Sequence, residues 1–240
     1  MLRSGLLAAA LAVLFPLAAL AGDAADREII GFSPDASLFA FEEYGVEDGS
    51  GFPYSNVYVI NVDDDSWVDG TPIRVRLEED GASLGDARQQ ARAAAQAYIG
   101  DNNIEPTFSL LASNPVTELS QNPSELHFVT RPHLAESGQQ WTVVLAQKEL
   151  PAEDCPSTDG EIFQGFTLAL VDPDGDEQGL HNDARIPTSR KCPLRYTLSD
   201  VISAYPENAA PALVVLVNVF SLGFEGPNRR FIAVTTRFKG

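Results

Sequence analysis

The chain has 240 residues, 34 Asp and Glu against 16 Lys and Arg, a formal charge of −18, two cysteines and three histidines. So acidic a balance excludes the ordinary nucleic-acid binder, whose basic surface displaces counterions, and adhesion to an anionic membrane face. With 44% hydrophobic and 21% charged residues it is too apolar for a disordered acidic tail, which leaves a globular protein able to bury a core.

Arg3 followed by the apolar run Leu6–Leu20, broken only by Pro16, reads as a signal peptide over residues 1–21. Ala19-Leu20-Ala21 supplies the small-x-small cleavage pattern and places Gly22 at the mature N-terminus. The run is short of the roughly 20 residues needed to span a bilayer, and no later apolar stretch reaches that length. Residues 22–240 are therefore expected as one mainly-β domain, soluble, periplasmic or secreted, with no membrane insertion after cleavage. In an oxidising compartment Cys155 and Cys192 are expected to pair, a cross-link worth roughly 4 kcal/mol by chain entropy.

Along the mature chain the dominant period is two. Ser37–Glu42 and Asn56–Val62 read as strands joined by a Gly- and Asp-rich loop, followed by Ile73–Leu77. A helix then interrupts: Ser83 with Asp86 forms a capping box, and Leu84, Ala87, Ala91, Ala94, Ala95, Tyr98 and Ile99 make one apolar stripe. Arg88, Gln89, Gln90, Arg92 and Gln96 are assigned to its outer face, and Gly100 to its stop. Further strands are expected at Thr107–Leu111, Leu126–Thr130, Trp141–Ala146, Phe163–Val171, Leu213–Phe220 and Arg230–Phe238, with a short helix from Ser199 to before Pro206. Turn residues bracket the strands, as in Asp172-Pro173-Asp174-Gly175. The fold class is mainly β: an antiparallel sandwich or partly open barrel, with one amphipathic helix packed on a sheet.

Ser33-Pro34-Asp35 with the alternating residues after it looks like one half-blade of a TolB or WD40-like propeller, but a propeller repeats such a unit several times and this chain holds it once. Longer strings carry a different resemblance: Phe41-Glu42-Glu43-Tyr44-Gly45, Gly49-Ser50-Gly51-Phe52-Pro53-Tyr54-Ser55, Arg185-Ile186-Pro187 with Cys192-Pro193, and Gly223-Phe224-Glu225-Gly226-Pro227 with Arg229-Arg230-Phe231. On these the chain resembles an uncharacterised family of bacterial predicted secreted proteins, a domain of unknown function. The resemblance implies export and a single domain, and no reaction.

No serine-hydrolase elbow, zinc-protease motif, CxxC pair or P-loop occurs, and no cofactor is expected. His127 and His133 stand too far apart on one strand to share a metal, and Pro132 breaks that run. His181 and Asp183, two apart, face one way in an extended segment; the favoured reading is a loop beside the disulfide held by Asp–Arg pairing, and the alternative a hydrolase or lyase that uses His181 as general base with Asp183 or Glu42. Asp172, Asp174 and Asp176 open like a calcium loop, but Glu177 and Asp183 stand where the later Gly and Glu belong, so a solvated turn is the default. The Gly-rich loop bearing Phe52 and Tyr54 and the turn bearing Glu225, Arg229 and Arg230 suit recognition of an acidic ligand, glycan or peptide, unless Arg229 or Arg230 pairs internally with Glu225 or the acidic strands, the structural role being favoured. The expected function is a non-enzymatic exported binding or adaptor module for a protein, peptide or glycan of the cell envelope.

Overall fold

The computed structural model describes residues 22–130, 139–152, 154–155 and 162–238. The signal segment and the Pro132–His133 stretch lie outside the described residues. In chain order the elements are β1 (Asp26–Phe32), β2 (Leu38–Val46), β3 (Pro53–Asn61), β4 (Ser66–Trp67), β5 (Ile73–Arg76), α1 (Leu84–Asp101), β6 (Ser109–Ser113), β7 (Glu125–Phe128), β8 (Trp141–Glu149), β9 (Gln164–Val171), β10 (Glu177–Asn182), a 3-10 turn (Thr188–Arg190), β11 (Pro193–Ala204), β12 (Ala212–Ser221) and β13 (Asn228–Arg237).

They form three antiparallel sheets, none closed into a barrel: β1-β2-β3-β4 with β5 also on β3, β10-β9-β8-β7, and β13-β12-β11-β6. The last of these is the central layer. Val215, Val217 and Val219 on one of its faces pack with Val143, Phe166 and Leu168 of the β7–β10 sheet. Val214 and Leu216 on the other pack with Phe39, Phe41 and Ile60 of the β1–β5 sheet. All ten residues of β12 are buried, as a strand covered on both faces requires. Each fully buried Val or Leu there contributes roughly 1.5–3 kcal/mol, so this layer is the main source of core stability.

Two expectations are corrected by this layering. The Ser199–Ala204 stretch is not a helix but the end of β11. A strand buried on both faces loses its period-two pattern, and a short apolar run then mimics a helix. Residues Asp26–Phe32, read as no element, form the edge strand β1, and Ser33-Pro34-Asp35 makes its hairpin with β2, where Asp35 accepts from Ser33 Oγ (2.7 Å) and Ser37 N (3.0 Å).

Helix α1 lies on the outer face of the β1–β5 sheet, with Ala87, Ala91 and Ala95 buried against Val57, Ile73 and Val75. Its capping box is formed as expected. The helix runs through Gly100, however, and turns at Asn103, whose φ is 50°. Arg88 and Arg92 are not a free outer face either. They flank the alanine stripe and reach down to Glu42 of β2, which is 0% exposed and also accepts from Ser55 Oγ at 2.8 Å. Arg92 Nη2 stands 2.6 Å from Glu42 Oε2 but off the hydrogen-bonding direction, an ionic contact only.

Candidate functional site

On one side of the molecule β5, β13 and β10 come to the margins of their layers, and a cleft of about 480 Å³ opens over β13. Alternation decides which side chains enter it. On β2, Glu42 points to the helix with Ala40, while Glu43 points inward with Phe41. On β3, Tyr54, Asn56 and Tyr58 face the cleft; on β5, Arg74 and Arg76 do. The opposite wall is the 3-10 turn, which presents Ser189, Arg190 and Lys191, with His181 of β10 beside it. Lys191, at φ 57°, closes that turn through its N–H on the Thr188 carbonyl (3.0 Å).

Five cations, Arg74, Arg76, Arg190, Lys191 and Arg230, line the cleft against three acids, Glu43, Glu47 and Asp65. On a chain of −18 this is a local reversal of sign. Three of the cations are engaged: Arg76 with Glu47 (2.8 Å), Arg190 with Asp183 (2.5 Å) and Arg230 with Asp23. Arg74 and Lys191 have no carboxylate within ion-pair distance among the described residues. Arg74 lies over Trp67, 5.6 Å from the ring, and Trp67 is 46% exposed. Behind it Tyr58 and Phe41 stack at 4.7 Å, so an aromatic row runs from the core to the cleft rim.

Glu43 is nearly wholly buried. Burial pushes its carboxyl up, against the opposing pull of the Phe231 N–H, Arg230 and Asn56. Its Oε2 accepts from Phe231 N at 2.7 Å, its Oε1 from Asn56 Nδ2 at 3.1 Å. Burial likewise raises Asp65, whose Oδ1 accepts from Thr235 N at 2.7 Å and Thr235 Oγ1 at 3.1 Å. Arg230 spans the end of the cleft over the Tyr54 ring (4.5 Å), and the Tyr54 hydroxyl donates to Asp23 Oδ1 at 3.0 Å.

His181 and Asp183 do meet. His181 Nε2 is 2.8 Å from Asp183 Oδ1, and Asp183 Oδ2 accepts from Phe166 N (2.9 Å) and Arg190 Nη1. Burial opposes ionisation of Asp183, but the bonds from His181, Phe166 and Arg190 outweigh it and hold the carboxyl at about 2. A bond to an ionised carboxylate puts the proton on Nε2, so the 3.3 Å approach of Arg190 Nη2 to that nitrogen is a contact, not a second hydrogen bond. The ring stacks on Phe166 at 4.5 Å, fixing its plane. Ser189 lines the same cleft, but no hydrogen bond joins it to His181 among the described residues, so no nucleophile is assembled.

The remaining candidates fall elsewhere. Glu42 is in the helix clasp. Arg229 turns away from the cleft, donating to the Ala25 carbonyl at 2.6 Å with its Nε buried and unbonded, while Glu225 is exposed. Phe52 lies under Arg76 (4.6 Å), at the end where the two loops meet and Phe224 stands beside Gly49. Asp172 Oδ1 accepts the N–H groups of Asp174 and Asp176, both at 2.9 Å, closing the turn on itself. Among the described residues no group of three His, Cys, Asp or Glu is placed to hold a metal. Cys155 and Cys192 are bonded, with Cα atoms 5.6 Å apart, and tie the Pro151–Cys155 stretch to the segment that carries the cleft wall. Sequence reading missed Trp67, Arg74, Arg190 and Lys191; the signal present was the alternation Arg74-Val75-Arg76 beside an aromatic.

A family model described as predicted secreted protein, DUF2259, matches residues 40–237. The chain belongs to that family. The match takes in every cleft residue named above, from Phe41 to Val234, together with the helix clasp and the disulfide. No curated protein matches. Among the described residues no helix is long and apolar enough to cross a membrane.

Proposed function

We propose that this member of a secreted family is a binding module of the cell envelope whose cleft over β13 takes an anionic ligand. The observation that carries the reading is the pair of unengaged cations, Arg74 and Lys191, on facing walls of a cleft rimmed by Trp67. An exposed tryptophan under an arginine offers a flat apolar surface and a cation to the same ligand. The His181–Asp183 pair orients a ring at the cleft wall, and among the described residues no hydrogen bond joins it to a side-chain nucleophile, so the binding reading is preferred to a catalytic one.

Trp67 and Trp141 are the two tryptophans of the chain, and Trp67 reports on the cleft directly. Titration of the protein with a glutamate-rich hexapeptide and with trigalacturonate, followed by tryptophan fluorescence, is expected to show saturable binding of at least one. Arg74→Ala with Lys191→Ala is expected to weaken it about tenfold or more at an unchanged melting temperature. Equal affinity in that double variant removes the cleft from the function. Turnover of either probe that His181→Ala abolishes would replace binding by catalysis.

A further inference from the structure

The floor of the cleft is the margin of the central sheet. In an antiparallel strand the N–H and C=O of every second residue point to the same side. On β13 that outward set is Arg229, Phe231, Ala233 and Thr235, because the Arg229 N–H leaves the sheet for the Asp23 carbonyl (2.8 Å) while β12 covers the other side. The Phe231 and Thr235 N–H groups are then taken by carboxylates from the neighbouring sheet, Glu43 and Asp65, each at 2.7 Å. Between these two caps lies Ala233, paired across the ladder with Leu216 and lining the cleft. None of the described residues accepts its N–H or donates to its C=O.

An exposed sheet margin invites another strand, and proteins block such margins with charges or covering segments. Here the blocks frame an opening. Glu43 and Asp65 take the amides at its two ends, the segment Asp23–Ala25 covers the strand beyond Arg229, and the half-buried central residue keeps a backbone N–H and C=O with no partner among the described residues, inside a cleft that Arg74 and Lys191 also line.

We infer that the ligand of this cleft is an extended peptide bearing acidic side chains, which adds to β13 as a short strand through the Ala233 N–H and C=O while its carboxylates meet Arg74 and Lys191. This rests on the binding reading above and names its ligand class. Main-chain pairing gives such a site tolerance of sequence, and the cations select for charge. An added strand alternates its side chains between the two walls, so two adjacent acidic residues reach Arg74 on one wall and Lys191 on the other.

The test uses a pool of blocked hexapeptides in which two adjacent glutamates are flanked by varied apolar residues, measured by equilibrium dialysis with mass-spectrometric readout. Trigalacturonate is the second probe. The peptides are expected to bind, and Ala233→Pro is expected to weaken them about tenfold while leaving trigalacturonate unaffected. That substitution removes only an outward N–H and no ladder bond, which an edge strand tolerates. A pool N-methylated at alternate amides is expected to lose affinity by the same factor on the unaltered protein, so the inference stays decidable if Ala233→Pro does not fold. Peptide binding indifferent both to Ala233→Pro and to N-methylation overturns strand addition. Retention of trigalacturonate with no peptide retained overturns the peptide inference and leaves the anionic cleft standing. Retention of neither overturns both.

Discussion

Replacing Glu42 by alanine tests the clasp that fixes α1 to the β1–β5 sheet. Its carboxylate is fully buried and accepts from Ser55 Oγ, Arg88 Nε and Nη2, and Arg92 Nε. Breaking a fully buried ionic network costs about 3–5 kcal/mol because a charge is stranded. Here Arg88 and Arg92 are 27% and 40% exposed and keep Glu28, so they recover water and the cost falls to about 2–3 kcal/mol. In a domain of this size that lowers the melting temperature by about 5–10 °C, read by far-ultraviolet circular dichroism. The pH dependence has a definite sign. Burial alone would raise the Glu42 carboxyl, but Arg88, Ser55 and Arg92 outweigh it, so the folded value lies below the ordinary 4.5. Its stabilisation is present above the unfolded value and disappears as pH falls through the folded one, so wild type and Glu42→Ala converge in acid. A loss under about 0.5 kcal/mol at neutral pH, or a gap that widens in acid, would refute the clasp.

Asp183→Asn is expected to be less stable than wild type at neutral pH and to converge on it between the ordinary 3.8 and about 2, as urea melts at stepped pH will show. Glu43 behaves oppositely: burial raises its folded value, so its contribution is present below the unfolded value and lost as pH rises through the folded one. Glu43→Gln, which keeps an acceptor for the Phe231 N–H, is therefore expected to be at least as stable at neutral pH, with a flatter stability profile above the ordinary 4.5. Reduction of Cys155–Cys192 is expected to lower the denaturation midpoint by up to roughly 4 kcal/mol in free energy, less any structure kept by the reduced chain. Calorimetry with and without reductant measures it.

The strands that face a core on one side and water or a cleft on the other were legible, because alternation survives there. β5 and β7 are examples, as is the capped helix with its alanine stripe. β11 was not, since Asp200, Val201, Ile202 and Ser203 are all buried and both faces of the strand are covered. Asp200 holds that interior place because Arg27 of β1 and the hydroxyls of Ser113 (2.7 Å) and Ser199 (2.8 Å) complete its bonding, which no local pattern announces.

The site was legible only in part, and the errors share one cause. Glu42 and Glu43 are neighbours, as are Arg229 and Arg230, and in each pair only the residue that alternation turns toward the cleft lines it. Deciding the parity requires knowing which face each strand buries. That is fixed by the central sheet, three of whose four strands, β11 to β13, come from the far end of the chain. The same argument explains why Arg74 and Lys191 went unseen. Arg74 is an ordinary exposed arginine until the turn before β11 brings Lys191 across from it, and the disulfide at Cys192 anchors that turn. The cleft is thus a product of topology: three sheet margins meet on one side, and the side chains that line it come from elements far apart in the chain.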